Sequence, residues 1–158
     1  FNRGVAALLE FDLTYDILIV AAQLPPSIRF VDRHPEQRFV LDHIAKPLIR
    51  DNRMEPWREV IRQMARRENV WCKLSGMVTE ADYSSWTVDQ LRPYAEVILE
   101  AFGPDRVMFG SDWPVCLVAC AYERWYGIVR EFIAELSESE QTKIMGHNAA
   151  IAYHLGAI

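Results

Sequence analysis

The chain has 158 residues, a length typical of one domain, and 51% of them are hydrophobic, which is ample for a packed core. Its formal net charge of −5 and its lack of a basic stripe argue against nucleic acid as the main partner. No apolar run is long enough to span a bilayer, and the first residues show no signal-peptide pattern. We therefore expect a single domain over residues 1–158 that binds neither nucleic acid nor membrane.

A pattern of strands followed by helices repeats along the chain. Short apolar runs predict strands at residues 14–20, 38–41, 70–74 and 107–109. Helical periodicity and end signals predict helices at 28–34, from Pro56 through 65, from Thr87 to 102 and at 122–136, with two short helices around Gly146. Two of the helix starts carry a capping-box spacing, Thr87 with Gln90 and Ser137 with Glu140.

Strands that alternate with helices indicate parallel β-α-β units and therefore an α/β fold. The spacing between the predicted strands suits a (β/α)8 TIM barrel, of which four units are about half. A doubly wound sheet is the alternative, but it usually carries a Gly-rich turn after its first strand, and the seven glycines make no such cluster. The chain also begins at Phe1 within a helical pattern, so we expect a fragment that corresponds to the carboxyl-terminal half of a barrel.

The three cysteines, Cys72, Cys116 and Cys120, have no Cys-x-x-Cys spacing and are odd in number. A free cysteine is most often a small buried side chain, and disulfides are rare in the cytoplasm. We therefore expect three reduced, buried thiols in a cytoplasmic protein.

A carboxylate and an imidazole follow two of the predicted strands. Asp112 comes after the strand at 107–109, and His43 comes after the strand at 38–41. In a barrel, catalytic side chains lie at the carboxyl ends of strands, so Asp112 is a candidate general base and His43 a candidate metal ligand or carbonyl polariser. The structural alternatives are a capping aspartate and a hydrogen-bonded histidine. Asp42 should face away from His43 if the strand continues, which makes it a structural partner.

Four further residues are candidate substrate contacts. Lys73 lies within a predicted strand, where a charge is costly unless it is paired, so a structural ion pair is the alternative. Tyr15, beside Asp16 on the first predicted strand, poses the same question. Lys46 lies in the loop after His43, where it can bind substrate or be only a solvated charge. Trp113 follows Asp112, where it can contact substrate or serve only in packing.

Several motifs occur together in a fixed order. They are residues 39–47 (FVLDHIAKP), 70–76 (VWCKLSG), 109–114 (FGSDWP) and the terminal Asn148-Ala149 with Tyr153. In this order they resemble the amidohydrolase-related, TIM-barrel family of metal-dependent hydrolases, and within it the fuconolactonase-like and rhamnonolactonase-like enzymes. The resemblance extends over nearly all of the chain.

The resemblance implies a distorted (β/α)8 barrel that hydrolyses a cyclic ester. It implies that His43 binds a metal or a substrate oxygen and that Asp112 activates water, with a divalent metal such as zinc as the cofactor where one is used. It further implies that Asn148 caps a helix or bonds to the backbone. The partner would be a small molecule, a lactone or a related carboxylated compound, and a homo-oligomer is compatible with the family.

The sequence departs from the family at one motif, because it contains no His-x-His pair, which the family carries at the end of its first strand. His43 and Asp112 alone are too few ligands for a tight zinc site. Two alternatives to a lactonase therefore stay in place. One is decarboxylation or amide hydrolysis on the same barrel, and the other is a catalytically inactive half-barrel fragment.

Overall fold

The computed structural model describes residues 1–156 and contains one parallel sheet flanked by helices. The strands are β1 (Tyr15–Ile17), β2 (Phe39–Leu41), β3 (Val70–Leu74) and β4 (Val107–Phe109). The α-helices are α1 (Asn2–Ala7), α2 (Leu24–Val31), α3 (Trp57–Ala65), α4 (Val88–Phe102), α5 (Tyr122–Phe132), α6 (Glu138–Thr142) and α7 (Asn148–Tyr153). Short 3-10 turns cover Leu8–Phe11, Ala21–Gln23, Asp42–Ala45, Val78–Glu80 and Val115–Val118, and a π-helical turn, Lys143–His147, joins α6 to α7.

The sheet has the strand order β1-β2-β3-β4, and each strand pairs in parallel with the next one along the chain. A helix returns the chain between consecutive strands, as parallel pairing requires. Four sequential parallel strands whose connecting helices lie on one face are the arrangement of half a (β/α)8 barrel. The predicted α/β class and partial barrel are confirmed.

Strand β1 is shorter than the predicted segment 14–20, and that boundary was wrong. Its partner β2 has three residues, and the pairing runs only from Tyr15 opposite Phe39 to Ile17 opposite Leu41. Beyond Ile17 the apolar run leaves the sheet, and Leu18 is 61% exposed. The length of a strand depends on the neighbouring strand with which it forms hydrogen bonds. The hydrophobicity of one segment does not show where that pairing ends.

Two helices also differ from the prediction at their ends. Helix α2 begins at Leu24 rather than 28, because Pro25 and Pro26 fit the first turn, where no N–H is needed. It ends before His34, which precedes Pro35, and a residue before proline avoids the helical region. Helix α5 ends at Phe132 rather than 136, although the side chain of Ile133 still packs in the core.

The predicted capping boxes have different outcomes. At α6 the Ser137 hydroxyl accepts from the Glu140 N–H and the Glu140 carboxylate accepts from the Ser137 N–H, which is the complete box. At α4 the Thr87 hydroxyl accepts from the Gln90 N–H at 3.2 Å, but the Gln90 side chain donates to the Ile49 carbonyl at 2.9 Å. The α4 box is therefore half formed, because the Gln90 side chain bonds to a loop carbonyl instead of to the backbone N–H of Thr87.

The two faces of the sheet have different neighbours. One face, which carries Phe39, Leu41, Cys72 and Leu74, packs with the helices in the main hydrophobic core. The opposite face carries a smaller cluster, in which Val40 and Met108 pack with Ala152 of α7. We call this second face the α7 face.

All three cysteines are free and buried, as predicted. Burial raises the pKa of each thiol, so the thiols stay protonated and unreactive at neutral pH. Within residues 1–156, no helix combines the length and hydrophobicity that crossing a membrane requires.

Asn148 connects the start of α7 to the amino end of β4 through side-chain hydrogen bonds. Its side chain is 1% exposed, and its amide donates to the carbonyls of Pro104 at 2.7 Å and Val107 at 2.6 Å. The expectation of a backbone-bonding role is confirmed. The bonds occupy carbonyls that would otherwise lie without a donor inside the fold.

Asn148→Ala is expected to lower the free energy of unfolding by about 1.5–4.5 kcal/mol. The buried Val107 carbonyl loses its donor at about 1–3 kcal/mol, and the part-buried Pro104 carbonyl loses a hydrogen bond worth about 0.5–1.5 kcal/mol. Chemical denaturation of the full protein measures the change. Asn2→Ala is the control, since Asn2 is exposed and its side chain bonds the imidazole of His34 at 3.0 Å rather than a buried carbonyl. Equal stability of the two variants would contradict this role for Asn148.

Candidate active site

His43 lies on a left-handed turn that begins directly after β2. His43, Ile44, Ala45 and Lys46 have φ of 52°, 48°, 59° and 47°. Positive φ is unfavourable for any residue with a Cβ, and most of all for a β-branched one such as Ile44. The turn is held by its surroundings, because Ile44 is fully buried and the Trp57 indole N–H donates to the Ile44 carbonyl at 2.8 Å. Tertiary packing therefore fixes the direction of the imidazole.

Asp112 reaches the same carboxyl edge of the sheet from β4. The strand ends at Phe109, and Asp112 again has positive φ, 55°. Its Oδ1 lies 3.6 Å from Nε2 of His43, and the two side chains are 10% and 18% exposed. The structure thus brings together the two residues that the sequence predicts to carry the chemistry.

Hydroxyl groups fix the orientation of both members of this pair. The Oγ of Ser75, a fully buried residue, lies 2.8 Å from Nδ1 of His43. The hydroxyl of Thr79 lies 2.9 Å from the Gly76 carbonyl and 3.3 Å from Oδ2 of Asp112, and its single hydrogen is shared between these two acceptors. The imidazole and the carboxylate are therefore held in fixed positions before any ligand binds.

The hydroxyl of Ser75 is compatible with either neutral tautomer of His43. With the proton on Nδ1, the ring donates to Ser75 and presents the Nε2 lone pair, which suits a metal. With the proton on Nε2, Ser75 donates to Nδ1, and the Nε2–H is available for an oxygen atom of a substrate. The site therefore accommodates both roles that the sequence assigns to His43.

Two glycines let the elements of the site approach one another. A Cβ on Gly76 would lie 2.7 Å from the Cβ of His43, and a Cβ on Gly110 would lie 2.8 Å from side-chain atoms of Lys73 and Ser75. Real Cβ atoms do not approach other heavy atoms so closely. Glycine at both positions is therefore a condition for the observed distances between the site residues.

Lys73 is held by a polar network on the α7 face. Its Nζ lies 2.6 Å from Asp42 and 3.4 Å from Asp16, and the Tyr153 hydroxyl donates to Asp16 at 2.7 Å. Burial opposes the charge, but the hydrogen bonds with Asp42 and Tyr153 raise the pKa of Lys73 above its usual range. Lys73 is therefore ion-paired with Asp42 and Asp16, beside the His43–Asp112 pair, and its role as a substrate contact stays a prediction.

The other three candidate contacts fall in two places. Lys46 is near the site, in an ion pair with Glu80 at 3.1 Å, and Trp113 follows Asp112 with 64% of its surface exposed. Tyr15 packs instead against Phe30 and Phe39 on the helix side of the sheet. The structure does not bring Tyr15 to the His43–Asp112 pair, because Asp16, the next residue, takes the opposite face.

No role for Ser75 or Thr79 was predicted from the sequence. A signal was present for Ser75, since it follows β3 directly, as His43 and Asp112 follow β2 and β4. Thr79 gave no such signal, because it lies in a short turn whose path no periodic pattern describes.

The distance between Nε2 of His43 and Oδ1 of Asp112 is also compatible with two of the ligand positions around a zinc ion. Two ligand atoms at about 2.0–2.2 Å from a tetrahedral zinc are roughly 3.4 Å apart, close to the 3.6 Å between Nε2 of His43 and Oδ1 of Asp112. Within residues 1–156, however, no three His, Cys, Asp or Glu side chains cluster as a metal site would require. The pair therefore fits two positions of a zinc site, and the described residues supply no third.

Comparison with known proteins places these features in a family. A family model described as amidohydrolase matches residues 1–155. An L-fucono-1,5-lactonase of Burkholderia multivorans is 39% identical over 98% of this chain and 56% of its own length. A second L-fucono-1,5-lactonase, from Burkholderia ambifaria, is 35% identical over 96% of this chain and 53% of its own length.

A solved structure of an amidohydrolase from Burkholderia multivorans with bound zinc superposes with a TM-score of 0.94 and 40% identity. The match covers 98% of this chain and 57% of that one. The chain thus spans little more than half the length of these relatives. The matched family model, the relatives and the superposed partial barrel agree with the order of the motifs, and the chain belongs to the amidohydrolase family.

Proposed function

We propose that this chain, as a single domain, supplies one half of the barrel of a lactone hydrolase, which opens a cyclic ester such as a sugar lactone. The observation that carries the proposal is the His43–Asp112 pair, whose facing atoms are 3.6 Å apart at the carboxyl edge of the sheet. Two relatives named as L-fucono-1,5-lactonases, at 39% and 35% identity, support a lactone as the substrate rather than a carboxylated aromatic or an amide.

In this proposal Asp112 is the general base. It takes a proton from a water molecule, and the water oxygen bonds to the lactone carbonyl carbon. The Nε2–H of His43 donates to the carbonyl oxygen as that oxygen gains negative charge. The ring C–O bond then breaks, Asp112 returns its proton to the leaving oxygen, and the product is an open-chain hydroxy acid.

A divalent metal such as zinc is part of the proposal as an alternative for polarising the carbonyl. His43 and Asp112 would hold it, and when bound it would act as a Lewis acid on the carbonyl oxygen. Support comes from the spacing of the two donor atoms and from the zinc in the superposed amidohydrolase.

The proposed partners are small molecules, a lactone or a related carboxylated compound. The three free cysteines support a cytoplasmic location as a further part of the proposal. A homo-oligomer stays an expectation from the family resemblance.

A substrate panel on the full protein, with and without added Zn²⁺, tests this function. We expect acid release from lactones, followed with a pH indicator, no carbon dioxide from hydroxybenzoates and no amine from amides. Carbon dioxide or amine release without lactone opening would assign a different reaction. No turnover of any substrate would favour the inactive alternative.

A further inference from the structure

A groove of about 470 Å³ lies between the loop after β2 and the loop after β3. Residues at its wall include Arg50 on one side and Glu80, Asp82 and Tyr83 on the other. Thr79 also lines the groove, and its hydroxyl is 3.3 Å from Oδ2 of Asp112. The groove therefore shares a wall with the candidate active site.

The polar groups of the groove are held in place. Glu80 pairs with Lys46 at 3.1 Å, and the backbone N–H of Arg50 donates to the Glu80 carbonyl at 3.0 Å, which joins the two loops. Oδ1 of Asp82 accepts from the hydroxyls and N–H groups of Ser84 and Ser85 at 2.9–3.1 Å. The groove is therefore a preformed binding surface rather than a gap between loose loops.

The groove carries a small excess of negative charge. Its wall has Arg50 and three carboxylates, Asp51, Glu80 and Asp82. Asp82 pairs with Arg50 at 3.6 Å and Glu80 pairs with Lys46 at 3.1 Å, so these five side chains together carry a net charge of −1. The hydrogen bonds from the Ser84 and Ser85 hydroxyls lower the pKa of Asp82 to about 2, so this carboxylate stays ionised across the working pH range. A bound carboxylate or sulfonate would meet like charge here, whereas hydroxyl groups can donate to the carboxylates and accept from Arg50.

We propose that the groove is the subsite for the hydroxylated arm of an uncharged sugar lactone, and that it disfavours lactones with an acidic arm. The proposal rests on the proposed lactonase function and adds the substrate class to it. The carbonyl end of the lactone would lie at His43 and Asp112, and the hydroxylated arm would extend past Thr79 into the groove. Exposed Tyr83 and the Asp82 carboxylate are its specificity-determining residues.

The test compares three lactones in the full protein. They are a neutral aldonolactone, the lactone of the matching aldaric acid, which carries a carboxylate in place of the terminal hydroxymethyl group, and unsubstituted δ-valerolactone. We expect Asp82→Asn to raise kcat/KM for the acidic lactone relative to the aldonolactone by about threefold to tenfold, because one repulsive charge is removed. The asparagine oxygen can still accept from the Ser84 and Ser85 N–H groups.

Tyr83→Phe is expected to raise KM for the aldonolactone by about threefold to tenfold with little change in kcat, because one hydrogen bond to the bound substrate is lost. The ratio of kcat/KM for the aldonolactone to that for δ-valerolactone should fall accordingly. Asp89→Asn, in the exposed first turn of α4, and Tyr126→Phe on α5 are the matched controls, and both should leave every ratio unchanged.

Two results would overturn the proposal in different ways. If the wild-type protein hydrolyses the lactones but both groove variants keep its ratios, the groove is not the subsite, and the lactonase function stands. If the wild-type protein hydrolyses none of the three lactones, the proposed function fails and the subsite with it. Thermal unfolding midpoints of all four variants establish that changed ratios do not come from misfolding.

Discussion

Asp112→Asn is expected to lower kcat for lactone hydrolysis in the full protein by about 10²–10⁴-fold, the usual contribution of a general base. Asparagine has nearly the same shape as aspartate, and its oxygen can still accept from the Thr79 hydroxyl, which lies 3.3 Å from Oδ2 in the wild-type chain. It cannot take a proton from water. Acid release at saturating lactone measures the effect, and KM should change much less than kcat.

Asp105→Asn is the matched control for this change. Asp105 lies before β4, at the end of the strand opposite to Asp112, and its exposed carboxylate pairs with Lys143 at 2.6 Å. An exposed ion pair contributes little to stability, because water and salt screen it, so this variant should keep its turnover. If Asp112→Asn retained a tenth or more of the wild-type kcat, Asp112 would not be the base.

Gly76→Ala is expected to damage both stability and turnover. Gly76 has φ of +64°, and a Cβ added there would lie 2.7 Å from Cβ and Cγ of His43. The left-handed backbone costs about 1–2 kcal/mol for alanine, and the overpacking adds about 1–3 kcal/mol. Because the clash is with His43 itself, the imidazole should move from Asp112, and kcat should fall together with the free energy of unfolding.

Gly103→Ala separates the two causes. Gly103 has a similar φ of +69°, but a Cβ there would meet no atom within 4 Å. With ψ of 169°, Gly103 lies in a backbone region that glycine alone adopts readily. This variant should therefore lose about 1–3 kcal/mol of stability from backbone conformation alone and keep its activity. Denaturant unfolding and steady-state kinetics on both variants make the comparison, and equal kcat values would show that His43 does not depend on the space left by Gly76.

Strands β3 and β4 begin and end where the sequence predicts, because each is a short apolar run bounded by polar residues or turn signals. The position of His43 and Asp112 at one edge also follows from the sequence, since the carboxyl ends of parallel strands meet. The left-handed turn over 43–46 does not follow. Its buried Ile44 has a backbone conformation that local preference opposes and that only the packed surroundings impose.

Sequence alone also left open which side of the sheet each residue of β1 faces. Tyr15 and Asp16 must point to opposite faces, but an alternating pair does not show which one turns towards the helices. The orientation depends on two residues far along the chain, because the Asp16 carboxylate forms an ion pair with Lys73 and accepts a hydrogen bond from Tyr153. A local pattern could not identify these partners.

Helix α7 has a consequence for how the chain folds during synthesis on the ribosome. The Thr14 hydroxyl donates to the Ala152 carbonyl, and the Tyr153 hydroxyl donates to Asp16, across 138 and 137 positions of sequence. At about 5–20 residues per second, translation takes roughly 7–30 s to cover that distance. Throughout this interval β1 lacks its α7 contacts, so we expect β1 to need protection by chaperones until α7 has been synthesised.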